Sequence, residues 1–205
     1  MNPRRTAPGK PGKPAKFIAR AVVYYLFLIG GILVLAYAAY TIADAHAYQT
    51  VEKARFENVT VSSNQEPRHV VPGDVIGELE VPRLGLQTMV VQGDSPKILR
   101  RAVGHIVETA MPGGQGNVTL AGHRDTFFRP LRNIRRGDTV TLKTLEGAFQ
   151  YEVESTAVVP PNDIQVLQPS AERTLTLITC FPFYYVGPAP NRFIVLARQM
   201  NPAPE

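Results

Sequence analysis

The most continuous hydrophobic stretch of the chain lies near its amino terminus. Residues 21–43 form a run of 23 residues without a charged side chain. As an α-helix this run would be about 34 Å long, enough to cross a hydrocarbon core of about 30 Å. Tyrosines lie near both ends of the run, where amphipathic rings favour the membrane interface. The pattern therefore predicts one transmembrane helix.

Further along the chain, the pattern changes to short β-rich runs separated by turn residues. The predicted strands are residues 75–81, 86–91, 117–122, 139–145, 149–159, 174–179 and 192–198. Ser95 and Pro96 are a favourable helix start for residues 97–103, and residues 127–134 suit one or two helical turns. Crossover helices between the strands are lacking, which argues against a parallel α/β sheet. Seven or eight strands with only short helices predict a closed or nearly closed antiparallel barrel.

These patterns divide the chain into five segments. We expect a basic cytoplasmic tail at residues 1–20, a transmembrane anchor at 21–43 and an extracytoplasmic stem and linker at 44–72. The folded domain is expected at 73–199, followed by a short tail at 200–205.

The charge of the chain is concentrated in its first segment. The formal net charge is +5, but residues 1–20 contain six basic residues and no acid, leaving 16 basic and 17 acidic residues in 21–205. A nearly neutral domain offers no evident phosphate-tracking surface, so nucleic acid is not an expected partner. A basic flank on the amino-terminal side places that end in the cytoplasm and the folded domain outside it. The alternative is a signal peptide cleaved near 45–47 (AHA), but its apolar region would be about 7–15 residues, shorter than this run.

Cys180 is the single cysteine of the chain, which excludes an internal disulfide. Outside the cytoplasm an unpaired cysteine indicates an intermolecular bridge, a buried inert thiol or a reactive thiol. One cysteine and four scattered histidines also make a structural zinc site of the usual kind improbable.

Three residues with suitable chemistry lie at predicted strand ends: His123, Cys180 and Arg192. A cysteine attacks a carbonyl as its thiolate, which a nearby imidazolium favours, and the same histidine can protonate a leaving amine. A permanently charged arginine can stabilise the resulting oxyanion, so no metal or cofactor is needed. The separation of 57 residues between His123 and Cys180 has no geometric meaning without a fold. The alternatives are a core thiol, a surface histidine and an arginine paired with an acid.

The other three histidines fit structural or solvent-exposed roles better. His105 is the rival base, but it lies in a different motif and is interpreted as structural or groove-lining. His46 and His69 fall in the predicted stem and linker, where we expect them to be solvated.

The motifs around these residues resemble those of a known family. Residues 176–180 (TLITC) match the TLxTC signature of the sortases, and Arg192 follows at the start of an apolar strand, as in that family. Residues 120–128 (LAGHRDTFF) and 181–190 (FPFYYVGPAP) are similar to the class D branch. The resemblance covers residues 73–199 and implies an all-β fold, an eight-stranded sortase-type β-barrel with short helices, preceded by one N-terminal transmembrane helix.

The resemblance also implies an activity. Such enzymes cleave an LPxTG-like sorting signal after Thr, hold the acyl group as a cysteine thioester and pass it to an amine of a cell-wall precursor or a protein lysine. Carried onto this chain, Cys180 is the nucleophile, His123 the general acid/base and Arg192 the oxyanion or substrate-backbone ligand. Thr179 would help to shape the substrate groove. The implied role is attachment of proteins to the cell envelope.

Several other functions stay open at this point. Absence of an aromatic lid motif in residues 44–73 favours an open site and protein anchoring over pilus polymerisation. A non-transferring thiol peptidase is a further alternative, as is an L,D-transpeptidase, whose usual Ser-x-Gly-Cys motif differs from the residues before Cys180. The non-enzymatic alternative is a membrane-anchored β-module.

Overall fold

The computed structural model describes residues 13–61, 70–185 and 187–200. Residues 1–12 of the predicted tail, residues 62–69 of the predicted linker (His69 among them) and residues 201–205 lie outside this part. The chain forms two compact units, Met1–Asp44 and Ala45–Glu205.

A helix of 49 residues, α1 (Lys13–Val61), begins before the predicted span and continues well beyond it. Within its section Phe17–Asn58, an 18-residue window has a mean hydropathy of 2.2, and the section is long and apolar enough to cross a membrane. Large apolar side chains such as Phe27, Leu33 and Leu35 are exposed along this section. In water such exposure would be costly, so the helix has the composition of one that faces lipid.

Eight strands close into a barrel, as the sequence predicts, in the order β1-β2-β3-β4-β7-β8-β6-β5. The strands are β1 (Val75–Val81), β2 (Leu86–Gln92), β3 (Val103–His105), β4 (Asn117–Ala121), β5 (Thr139–Thr144), β6 (Gly147–Val159), β7 (Thr174–Phe181) and β8 (Asn191–Gln199). The short helices are α2 (Pro96–Leu99) and 3-10 turns at Pro82–Leu84, Arg129–Asn133 and Ile164–Leu167.

The barrel is not purely antiparallel, which corrects one sequence prediction. Strands β2 and β3 pair in parallel, and so do β4 and β7. Parallel neighbours need a connection that returns to the same end of the sheet. Helix α2 belongs to the first connection, and β5, β6 and their loops lie within the second.

The helix predicted over residues 97–103 is also shorter than expected. It ends at Leu99, and Val103–His105 form β3 instead. A Cβ on Gly104 would lie 2.4 Å from the Gly93 carbonyl oxygen, so the backbones approach closely where β3 joins the sheet. This glycine therefore permits a strand contact that local helix signals do not reveal.

The hydrophobic core fills the barrel interior. Alternate residues of each strand point inward, and Leu120, Leu142, Leu175, Leu177 and Val195 are fully buried there. The intervening residues of β7, which include Cys180, lie on the outer face. The core thus fixes which face of β7 carries the cysteine.

In the second unit, the end of α1 packs against the outside of the barrel. The less exposed side chains recur at helical spacing and are Ala45, Tyr48, Gln49, Glu52, Lys53 and Phe56. Gln49 Oε1 accepts from the Met89 amide at 2.8 Å, and Gln49 Nε2 donates to the Arg101 carbonyl at 2.7 Å. Lys53 Nζ lies 3.0 Å from Glu78 Oε1. The predicted stem is therefore a helix attached to β1 and β2.

Candidate active site

The pairing of β4 with β7 gives the His123–Cys180 separation its geometric meaning. Ala121 lies beside Ile178, and the Gly122 amide donates to the Ile178 carbonyl at 3.1 Å. The offset between partners is 57 residues at every position of this pair. His123, two residues beyond Ala121, is therefore at the level of Cys180, with an exposed side chain.

The neighbouring pair brings Arg192 to the same level. In the antiparallel β7–β8 ladder, Cys180 is the direct partner of Arg192. Direct partners project from the same face of a sheet, and adjacent strands lie about 4.8 Å apart. Cys180 and Arg192 on β7 and β8, with His123 two residues past the end of β4, thus lie at one level of the barrel, and we call these three residues the active-site row. Cys180 and Arg192 are both partly exposed.

Thr179 faces the opposite way from the cysteine. Its side chain is buried, and its hydroxyl donates to the Gly122 carbonyl at 2.7 Å. The bond ties β7 to the residue immediately before His123. Thr179 therefore sets the alignment of the two segments that carry His123 and Cys180.

Packing fixes the turn that follows β4. The Phe128 amide donates to the His123 carbonyl at 3.0 Å, and the Phe128 ring is fully buried. A Cβ on Gly122 would lie 2.8 Å from that ring, so a glycine is needed at this position. The turn is thus anchored through its aromatic residue, while the imidazole stays at the surface.

Two arginines hold the β7–β8 connection against this turn. Arg124 Nη2 donates to the carbonyls of Tyr185 and Gly187, at 2.7 and 3.0 Å. Arg132 lies 5.5 Å from the Tyr184 ring centroid and donates to its hydroxyl at 2.5 Å. The sequence did not predict these contacts of Arg124 and Arg132 with the β7–β8 connection. The adjacent Tyr184 and Tyr185 were the available signal in the sequence. Only the fold shows that arginines from a distant segment contact them.

A groove of about 510 Å³ lies on the same face as Cys180. Its floor includes Thr174 and Thr176 of β7, and Ile194 and Leu196 of β8. Its wall comes from the β6–β7 connection, residues Gln165, Gln168, Pro169, Ser170 and Glu172. Ile194 pairs with Ile178, two residues before Cys180, so the groove leads toward the active-site row. These groove residues were not predicted from the sequence.

His105 lies away from the solvent, in the barrel wall. It is fully buried, with Nε2 at 2.9 Å from the Ala110 carbonyl oxygen and Nδ1 at 2.8 Å from Gln92 Oε1. Burial lowers the pKa of this imidazole, although the Ala110 carbonyl opposes the shift. These contacts give His105 a structural role in the β3–β4 connection.

Asp125, two residues after His123, is exposed and does not orient the imidazole. Within the described ranges its side chain makes no hydrogen bond or ion pair, neither with Arg124 nor with Arg129. The same part of the chain contains no group of three or more His, Cys, Asp or Glu side chains placed to hold a metal ion.

The barrel and the TLITC-bearing strand define a class of cysteine transpeptidases, and comparisons with known proteins place the chain within it. The family model described as the Sortase domain matches residues 79–200. Sortase D of Bacillus subtilis (strain 168) is 28% identical over 197 residues, spanning 89% of this chain and 100% of that relative. The chain belongs to the sortase family, on the side of class D.

Solved structures agree with this assignment. A sortase D5 transpeptidase of Clostridium perfringens superposes with a TM-score of 0.64 at 30% identity, covering 74% of this chain and 99% of that one. Sortase E of Streptomyces avermitilis superposes with a TM-score of 0.56 at 30% identity, covering 64% and 91%. The expected family, barrel and enzyme class are thus confirmed.

Proposed function

We propose that this protein cleaves an LPxTG-like sorting signal after its Thr and transfers the acyl group to an amine, attaching proteins to the cell envelope. The observation that carries the proposal is the active-site row: a cysteine and an arginine that are direct partners on β7 and β8, and a histidine two residues after the adjacent β4. These are the groups that acyl transfer through a thioester requires. The chemistry uses no cofactor and no metal.

In this mechanism Cys180 attacks as its thiolate and forms a bond from Sγ to the Thr carbonyl carbon of the signal. Arg192, the direct ladder partner of Cys180, donates to the oxyanion of the tetrahedral intermediate. Before substrate binds, its Nη1 donates to the carbonyls of Ala189 and Asn191. His123, as imidazolium, protonates the leaving amine when the C–N bond breaks. The neutral imidazole then accepts a proton from the incoming amine, whose nitrogen displaces the Cys180 thiolate.

The groove supplies a place for the signal peptide. It is open, runs along β7 and β8, and points to the active-site row. An extended peptide rises about 3.3 Å per residue, so the step from Ile178 to Cys180, with Thr179 between them, spans the length of a dipeptide. We place the residues of the signal that precede its Thr in this groove, with Thr179 positioning the strand beside it.

The amino-terminal helix supports a single-pass location in the cytoplasmic (inner) membrane. The basic segment at residues 1–20 precedes the apolar run, which favours a cytoplasmic amino terminus and an extracytoplasmic barrel. This orientation places the catalytic domain where exported proteins and wall precursors meet. The partners are then substrate proteins with the sorting signal, the amine acceptor and the membrane.

The proposal is tested by trapping the thioester. Full-length protein is incubated with LPxTG, LPxTA and LAxTG peptides, and the acyl-enzyme is measured by mass spectrometry with and without an amine. We expect an adduct on Cys180 that disappears when the amine is added, with a new amide product. Cys180→Ala should abolish the adduct, and His123→Ala and Arg192→Ala should lower its rate at least a hundredfold.

Two results would contradict this function. If no peptide gives a Cys180-linked adduct, the protein does not process such signals. If the adduct forms but only water resolves it, the protein is a thiol peptidase. A product joining the signal to a pilin lysine, rather than to a wall amine, would instead identify a pilus-polymerising enzyme.

A further inference from the structure

The connection after β4 carries a net positive charge, although the barrel domain as a whole is nearly neutral. Residues 123–136, which we call the arginine segment, contain five arginines and one aspartate. By contrast, residues 21–205 as a whole contain 16 basic and 17 acidic residues. A strongly cationic surface is thus concentrated in one short segment, and that segment begins at His123.

The arginine segment lies beside the active-site row. Its first turn closes through the Phe128 amide and the His123 carbonyl, and the Arg129 amide donates to the Thr126 carbonyl in the next turn. Arg124 and Arg132 contact Tyr185 and Tyr184, in the connection between Cys180 and Arg192. The part of the segment from His123 to Arg132 therefore borders the row on the His123 side, across β7 from Arg192.

The charge of this segment is not neutralised by nearby carboxylates. Arg129, Arg132 and Arg136 are exposed, and none forms a salt bridge with a carboxylate of a described residue. The closest following acid, Asp138, is engaged by Arg83 Nε at 2.5 Å.

Arg124 has an unused donor inside the segment. Its Nη1 is buried and has no hydrogen-bond partner within the described ranges, although Nη2 has two. Because Nη1 is shielded from solvent and the guanidinium lies 5.9 Å from the Tyr185 ring centroid, Arg124 holds the β7–β8 connection, and the exposed arginines of the segment are the ones available to a bound molecule.

We propose that the arginine segment binds the acceptor amine through carboxylates carried on the same molecule, so that the second substrate is an acidic peptide amine. The inference rests on the transpeptidase function proposed above. The amine must reach the thioester on the side of His123, because that imidazole takes its proton when the new C–N bond forms and the C–S bond breaks. Guanidinium groups bind carboxylates through paired N–H donors, and an acceptor passing this segment meets several of them.

The test separates acyl-enzyme formation from transfer. Full-length wild type and the double variant Arg129→Gln/Arg136→Gln are acylated with the best sorting peptide, and transfer is followed to Gly-Asp-Asp and to the isosteric Gly-Asn-Asn amide. Lys97→Gln/Arg100→Gln is the matched control, because it removes two exposed charges elsewhere. Phosphoethanolamine is included as a phosphate-bearing amine.

We expect the Arg129/Arg136 variant to form acyl-enzyme at the wild-type rate. Its KM for Gly-Asp-Asp should rise about fivefold to tenfold, as expected for two surface charge contacts, and 0.5 M salt should reduce that difference. The KM for the Gly-Asn-Asn amide and the behaviour of the control should not change.

Three results would overturn the proposal. An equal effect on acid and amide acceptors would show that charge recognition is not involved, and an unchanged KM for both would show that the segment does not bind the acceptor. An effect confined to phosphoethanolamine would assign the segment to phosphate. Loss of acyl-enzyme in the wild type would instead refute the transpeptidase function, and with it this inference.

Discussion

Gly122 is confined by the Phe128 ring at the point where β4 gives way to the turn that carries His123. An alanine Cβ would approach the ring to 2.8 Å, and the ring is fully buried and cannot move freely. We expect Gly122→Ala to lower the free energy of unfolding by about 1–3 kcal/mol, the usual cost of overpacking. Urea denaturation measures this change.

The cause can be isolated with a second substitution. Adding Phe128→Leu to Gly122→Ala removes the colliding ring, so the double variant should lose less stability than the sum of the two single variants. Strictly additive losses would show that the two residues do not oppose each other in this way.

Thr179 provides a second residue-scale prediction. Thr179→Val keeps the shape of the side chain but leaves the Gly122 carbonyl without its buried donor. The expected loss of stability is about 1–3 kcal/mol, and the rate of acyl-enzyme formation should fall because the β4 and β7 ends lose their tie. Thr179→Ser retains the hydroxyl and should remain close to wild type. If valine and serine behave alike, the hydrogen bond is not what matters.

Asp138 gives a prediction on pH. The Arg83 guanidinium, which donates to this buried carboxylate, holds the pKa of Asp138 below its ordinary value, with the Arg135 amide contributing. A lowered folded-state pKa stabilises the protein above the unfolded value of about 3.9, and this contribution disappears as pH falls through the folded pKa. Asp138→Asn should therefore be less stable than wild type at pH 7, and the difference should shrink below about pH 4. Urea midpoints across this range test it, and a constant difference would contradict it.

At the scale of elements, the local hydrophobic pattern predicted those strands whose own residues show a clear strand signal. The alternating runs of β1, β5 and β6 were predicted to within a few residues, because one face of each is buried. The three-residue strand β3 was missed. Its identity depends on parallel pairing with β2 and on the close approach at Gly104, neither of which leaves a periodic signal.

The docked end of α1 gives an element-scale prediction. Gln49 satisfies the Met89 amide and the Arg101 carbonyl, which lie on different elements of the barrel wall. Gln49→Ala should destabilise the second unit by about 1–3 kcal/mol, because a part-buried backbone donor and acceptor lose their partners. Val51→Ala, on the exposed side of the same helix, is the control. The midpoints of thermal unfolding are measured for both variants. Equal decreases in the midpoint would show that the Gln49 contacts do not stabilise the barrel.

At the scale of the whole molecule, the lone cysteine reports orientation. Cys180 is partly exposed, so a membrane-impermeant maleimide should label it in intact cells if the barrel is extracytoplasmic. In a Cys180→Ala background, Thr6→Cys should be labelled only after lysis, because the basic tail is expected to be cytoplasmic. The reversed pattern would place the barrel inside. Cys180→Ala alone controls for labelling elsewhere.

The sequence by itself determined the transmembrane candidate, the β-rich domain and the residue types of the candidate active site. These follow from local properties: an uncharged run of 23 residues, alternation along strands, and reactive side chains next to strand ends. The TLITC motif extended this to the family, and the matching family model confirmed it. The side of the membrane also has a sequence prediction, because the charge imbalance lies in one continuous segment, and the labelling experiment tests it.

The tertiary structure alone decided how those residues meet. His123 and Cys180 are 57 residues apart in the chain, and the pairing of β4 with β7 brings them to the same level of the barrel. The β7–β8 register brings Arg192 to that level as well. The groove and the contacts of Arg124 and Arg132 also depend on closure of the barrel, since each of them joins residues from distant parts of the chain. Such long-range pairings arise because the barrel must bury one face of every strand and satisfy its backbone hydrogen bonds, conditions that local sequence does not encode.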